Sequence, residues 1–138
     1  MTLEASVGIR NDIAEVERYS GDFAAAERDY REALRVARKV DDAEGVAIYT
    51  GNLASLELDR ENWPQAEALA QEALLLSEQV GRQELIANNC GGIAMALVRQ
   101  GKASEALPYA QRAMEIFINL GSPKLKYALA TLAECEKQ

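Results

Sequence analysis

The chain has 138 residues, 49% of them hydrophobic and 27% charged, enough apolar surface to build one domain's core and too much for a disordered chain. Its 15 Lys and Arg stand against 22 Asp and Glu, a net charge of −7 that excludes a nucleic-acid binder, because neutralising phosphates takes a surplus of cations. There is no His, the commonest general base and metal ligand, and no Gly-rich phosphate loop, nucleophile elbow or Cys-x-x-Cys motif, so no enzymatic activity, cofactor or metal is expected.

The N-terminus, Met1-Thr2-Leu3-Glu4, has no basic segment followed by an apolar run. The longest apolar stretch, Gly91 to Val98, is far too short to cross a bilayer, so a cytoplasmic protein without a membrane partner is expected. From Thr2 onward, Ala, Leu, Glu and Arg recur with a helical period and little β-branched alternation, so every segment reads as helix and no strand is predicted. The first helix is predicted from Leu3 to Tyr19, capped by Thr2, with Val7, Ile9, Ile13, Ala14 and Val16 as its apolar stripe. Ser20-Gly21-Asp22 ends it with a residue that tolerates left-handed backbone and starts the next helix, Phe23 to Val40, with a capping carboxylate.

The chain then repeats itself at a spacing of 40: Gly21, Glu61 and Gly101; Phe23, Trp63 and Ala103; Ala26, Ala66 and Ala106; Ala33, Ala73 and Ala113; Leu34, Leu74 and Met114. A fixed spacing of this size marks a solenoid of stacked helical units. The second helices are predicted to continue as Trp63 to Val80 and Ala103 to Leu120, ending at Gly81 and Gly121 as the first such helix ends at Asp41. Asp42 and Ser122-Pro123 occupy the capping places of later first-type helices, and Arg82 does not suit its own. Pro108, one turn inside the last second-type helix, implies either that Ser104 is its cap or that the helix kinks there. A lone helix from Pro123 to about Lys137 closes the pattern. Its Glu134 and Glu136 stand where the other first-type helices have Ala14, Ala54 and Ala94, or Val16, Leu56 and Ala96, so it is expected to be a polar cap without a partner helix.

With this alignment the pattern resembles the tetratricopeptide repeat. It is carried by Ile13-Ala14, Gly21-Asp22-Phe23, Ala26, Tyr30 and Ala33-Leu34; by Leu53-Ala54, Asn62-Trp63, Ala66, Ala70 and Ala73-Leu74; and by Ile93-Ala94, Gly101, Ala106, Ala110 and Ala113-Met114. The 40-residue spacing, against about 34 for the commonest form, is similar to the longer variety of kinesin light chains and bacterial peptide-sensing regulators. The resemblance covers about residues 7–133. It implies a single all-α domain, 1–138, built as a right-handed α-solenoid of seven helices: three repeats near 2–41, 42–81 and 82–121 and a capping helix over 122–138.

The resemblance also implies a non-enzymatic protein-interaction scaffold whose first-type helices line a concave groove. Its exposed positions there are Asn11, Asp12, Glu15 and Tyr19; Ile48, Asn52, Ser55 and Asp59; and Asn88, Gly92, Met95 and Arg99. Asn52 stands where the longer family often has an Asn that holds a ligand's backbone amide. The groove then grades from acidic to apolar with one Arg, which suits a protein or peptide partner with basic and apolar residues. Asn11, Glu15, Gly51 and Ser55 replace the Lys and Asn residues with which chaperone-tail binders of this class grip a carboxylate, so that ligand is not expected. Two other readings stay open, a ligand-responsive sensor domain and a structural self-assembly unit. Charged residues at both ends, Arg10, Asp12, Glu15, Glu17 and Arg18 at the first, point to a monomer or weak dimer.

Several other features have a structural reading beside a functional one. Arg28, Arg31, Arg35 and Arg38 fall on one helix, with Glu27 four before Arg31 and Glu32 four after Arg28, the spacing of solvated ion pairs. Phe23 and Trp63 are expected in the core, and Cys90 and Cys135 as small buried hydrophobes rather than a disulfide. Gly91-Gly92 lies inside a helix, where a side chain would obstruct either packing or an incoming ligand.

Overall fold

The computed structural model describes residues 3–138, with side chains from Val7 onward, so the expected Thr2 cap lies outside the described residues. These residues form seven helices and no strand: α1 (Leu3–Tyr19), α2 (Phe23–Lys39), α3 (Ala43–Asp59), α4 (Trp63–Val80), α5 (Gln83–Arg99), α6 (Ala103–Leu120) and α7 (Leu125–Lys137). Pairs α1–α2, α3–α4 and α5–α6 pack antiparallel, each second helix packs on the next first helix, and α3, α5 and α7 lie side by side.

The turns are local chemistry. Asp22 accepts the Ala25 N–H at 3.2 Å and Asp42 the Gly45 N–H at 3.0 Å, each satisfying a donor left over in the first helical turn. At the ends of α1, α3 and α5, the N–H groups of Asp22, Asn62 and Lys102 reach back to the carbonyls of Glu17, Glu57 and Leu97, each at 2.9 Å. This closure requires left-handed backbone at the preceding residue, and Glu61 adopts it at φ 60° without being Gly, a local cost of roughly 1 kcal/mol or more. Asn62 then does not cap α4 but donates to Glu57 at 3.0 Å.

Packing explains the alanines. Ala14, Ala26, Ala54, Ala66, Ala94 and Ala106 are all buried, all but Ala54 with no exposed surface, and side chains this small allow paired helices to approach at the short end of the usual range of about 8–10 Å. The same places in successive repeats also exchange the same polar tie. Arg60 bonds Glu27, and one repeat later Gln100 donates to Glu67 at 2.9 Å.

Several expectations are corrected. Ile9, Ile13 and Val16 on α1 are 48%, 49% and 67% exposed, because among the described residues no second-type helix precedes α1 to cover this face, whereas α2 covers it on α3, where Tyr49, Leu53 and Leu56 are buried. This end of the stack therefore exposes apolar side chains beside the charges of Asp12 and Glu15. On α2, Arg28 turns to Glu17 (3.8 Å) and Asp29 (3.7 Å), while Glu32 takes Arg35 at 2.6 Å; the Arg28–Glu32 pair does not form. α6 runs unbroken from Ala103, with Lys102 rather than Ser104 at its cap, and Pro108 sits within it on the exposed side.

α7 begins at Leu125, not Pro123, because Ser122 and Pro123 belong to the turn, where Ser122 Oγ accepts the Lys124 N–H at 3.1 Å. The residues at the caps of α3, α5 and α7 are Asp42, Arg82 and Lys124, so the last spacing is 42 rather than 40. Buried Ala128, Thr131 and Cys135 accordingly match Ile86, Asn89 and Ile93. Glu136, not Glu134, takes the place of Ala94.

Candidate functional site

The first-type helices share one face, and that face holds a cavity of about 580 Å³. α1 contributes Glu15, Arg18 and Tyr19; α3 contributes Ile48, Gly51, Asn52, Ser55, Leu58 and Asp59; α5 contributes Leu85, Asn88, Gly91, Gly92 and Met95. Phe117 of α6 and Lys124, Tyr127 and Thr131 at α7 close the far side. A second hollow, of about 640 Å³, lies off this face at the helix ends between Arg38, Glu44, Leu76 and Val80.

The cavity brings together Glu15, Tyr19, Ile48, Asn52, Ser55, Asp59, Asn88, Gly92 and Met95 of the predicted residues. Asn11, Asp12 and Arg99 stand outside it. Asn11 supports the groove from behind, accepting the Asn52 side-chain N–H at 2.9 Å and so orienting that carboxamide. Asp12 is exposed beside it. Arg99 lies 3.8 Å from Glu134 and 6.0 Å over the ring of Trp63, which is half-buried and joins neither core cluster, unlike Phe23, so the expected core place of Trp63 is corrected. Arg18, Leu58, Leu85, Lys124 and Tyr127 are among the lining residues that the sequence does not reveal. Leu58 and Leu85 are three residues from Ser55 and Asn88, a spacing that could have found them.

The floor is bare. A Cβ added at Gly91 would meet nothing within 4 Å, and one at Gly92 would make ordinary contacts of 3.7 Å with Leu58 and 3.8 Å with Ala70. Packing requires neither glycine, which removes one of the two readings of Gly91-Gly92. Gly51 is different: a Cβ there would press to 3.1 Å on Asn89 Oδ1, whose carboxamide is buried and donates to Ser77 at 2.9 Å.

Charges divide the groove by its ends. At the α1–α3 end, Arg18 lies 3.2 Å from Asp59 and stacks 4.8 Å over the Tyr19 ring. Burial raises the Asp59 carboxyl above its ordinary value against the pull of Arg18, and burial pushes the Tyr30 hydroxyl, behind this cluster, up to about 12. At the α7 end, Lys124 Nζ lies 3.4 Å from Glu84 and 3.3 Å from Asn88 Oδ1. Cys90 and Cys135 are buried and unpaired with each other, and burial pushes the Cys90 thiol up to about 11. Among the described residues, no cluster of Cys, Asp or Glu is arranged for a metal ion, and no helix is long and apolar enough to cross a membrane. The lining thus offers hydrogen bonds, ion pairs and apolar contact.

Comparison with known proteins gives a consistent result. The family described as tetratricopeptide repeat matches residues 6–79 and again 46–119. A solved TPR-like protein from Chlorobium tepidum superposes with a TM-score of 0.79 at 18% identity, covering 96% of each chain, a likeness of fold alone. BtubC (BKLC) from P. vanneervenii is 26% identical with a TM-score of 0.76; 93% of this chain is covered but only 52% of that one, so the chain spans about half of that protein. No curated protein matches.

Proposed function

Because the chain belongs to the tetratricopeptide-repeat family, we propose that it is a non-catalytic cytoplasmic interaction module whose groove holds an extended segment of a partner protein. The observation that carries this reading is the bare floor at Gly91 and Gly92 between the Asn52 and Asn88 carboxamides, where a peptide main chain can approach α5 closely. Ile48 and Met95 supply apolar contact, and Glu15, without an ion-pair partner among the described residues, favours a basic side chain at one end. Each term is small, so affinity arises from their sum and from exclusion of water around the apolar anchor.

Site-specific photocrosslinking tests the surface directly. A benzophenone side chain at Met95 should capture the partner, and one at Arg31 on the convex side should not. Capture at Arg31 alone would place the partner on the other face and end the proposal. Self-assembly is a second reading, favoured by the exposed Ile9, Ile13 and Val16 face. It requires a dimer in sedimentation that Ile13→Lys dissolves, and a monomer at all concentrations would exclude it.

A further inference from the structure

The far wall of the groove exists because α7 is offset. Two extra residues in the α6–α7 turn place Lys124 at the start of α7 and Tyr127 one turn on, and both line the cavity opposite Glu15 and Tyr19. Each end then has an exposed aromatic ring, Tyr19 at 77% and Tyr127 at 64%, beside a charge of opposite sign. At the α1–α3 end, Glu15 and Asp59 outnumber Arg18 by one negative charge; at the α7 end, the ammonium of Lys124 is the only charged group on the cavity lining. The middle, formed by Asn52, Asn88, Met95 and the glycines, is uncharged.

Four helices side by side at about 8–10 Å set these ends roughly 24–30 Å apart, the length of about eight extended residues at about 3.3 Å each. We infer that the groove selects a segment of about eight residues carrying opposite charges at its two ends: a basic side chain against Glu15 and Tyr19, and a carboxylate against Lys124 and Tyr127. The inference rests on the groove being the binding surface and adds to it the second, anionic end of the ligand. Arg18 supports the first end. Its guanidinium, already stacked on Tyr19 and facing Asp59, shows that this corner accommodates a cation, and it leaves the Glu15 carboxylate for the ligand. Lys124 shares its ammonium between an exposed Glu84 and a carboxamide oxygen, partners that a ligand carboxylate can displace.

The test uses fluorescein-labelled octapeptides, acetylated and amidated, with one Ser/Leu/Thr interior and termini Lys…Glu, Lys…Lys or Glu…Glu. Anisotropy measures affinity, and amide shifts of isotope-labelled protein report whether the groove is the site. The natural protein should bind Lys…Glu about threefold tighter than either like-charged peptide, a preference that fades in high salt because exposed charge pairs are weak and screened. Glu15→Lys should shift the preference to Glu…Glu and Lys124→Glu to Lys…Lys. The double variant should prefer Lys…Glu again, because the peptide can turn end for end. A fourth peptide, with Ser in place of the Glu and a free C-terminus, shows whether a chain-terminal carboxylate serves as well as a side chain. Groove shifts with equal affinity for all three charged peptides, or a double variant that does not regain the bipolar preference, would overturn the inference and leave the groove standing. No groove shift with any peptide would overturn both.

Discussion

Gly91→Ala separates what the groove needs from what the fold needs. Gly91 is in the interior of α5, and a Cβ there would meet nothing within 4 Å. Gly in a helix interior costs about 0.5–1 kcal/mol relative to Ala, and no packing term offsets that here. For a domain of this size, about 1 kcal/mol corresponds to roughly 3–4 °C in Tm, so Gly91→Ala should raise Tm by about 2–4 °C. Two companion variants set the scale. Gly51→Ala gains the same helix term but presses on Asn89 at 3.1 Å, and should be close to neutral. Gly45→Ala would bring Cβ within 2.5 Å of Asp42 Oδ2, displacing the carboxylate that caps α3, and should lower stability by about 1 kcal/mol. Thermal melts followed by circular dichroism rank the three, and octapeptide titrations follow affinity. The reasoning predicts that Gly91→Ala melts higher and binds more weakly, because its methyl group occupies the groove floor. A Gly91→Ala melting temperature at or below the natural one, or Gly45→Ala above it, would refute the packing analysis. Unchanged affinity in a stabilised Gly91→Ala would refute the bare floor as a ligand feature.

Ala54→Leu and Ala66→Leu overpack a helix pair whose alanines are almost fully buried and should each cost about 1–3 kcal/mol, whereas Arg31→Ala loses one exposed ion pair with Glu27 at 3.1 Å and should cost less than about 0.5 kcal/mol; equal denaturant midpoints for the three variants would contradict the packing. Hydrogen bonds from Arg60 and then Arg31 hold the Glu27 carboxyl below its ordinary 4.5, so its contribution is present above about pH 4.5 and is lost as pH falls through the lower folded value. The melting temperatures of Arg60→Gln and the natural protein should therefore differ at neutral pH and converge in acid, and a gap constant from pH 7 to pH 3 would show that Glu27 is not the group responsible.

The repeat was legible because it is written in residue types that have few alternatives. Alanines at 14, 26, 54, 66, 94 and 106 mark where two helices meet, and no exposed helix face demands so regular a column of small side chains. Turns were legible for a similar reason: Gly21, Gly81, Gly101 and Gly121 all adopt positive φ, and Asp22 and Asp42 cap as their types suggest. Glu61 was harder, since its left-handed backbone is imposed by the closing bond from Asn62 to Glu57 rather than by its own preference. The exposure of Ile9, Ile13 and Val16 was not legible, because an apolar stripe on one helix does not say whether another helix covers it.

The groove divides along the same line. Positions on α1, α3 and α5 follow from the 40-residue spacing, and nine of the twelve predicted residues line one cavity. Lys124 and Tyr127 do not follow from it, because Ser122 and Pro123 lengthen the last turn by two residues. At 3.6 residues per turn, an offset of two turns a helix by about 200°, so a face read as packed becomes a face in solvent, and the reverse. Glu134 and Cys135 show the effect: counting by 40 matches them with Ala94 and Met95, whereas counting by 42 matches them with Gly92 and buried Ile93, and it is Cys135 that is buried. Counted by 42, the exposed Glu136 stands at the place where Ala94 is buried against α6, and the far side of the groove changes with the count. Lys124 and the exposed Tyr127 line the far side of the cavity beside Met95, so under the proposal made above a ligand has to answer both ends.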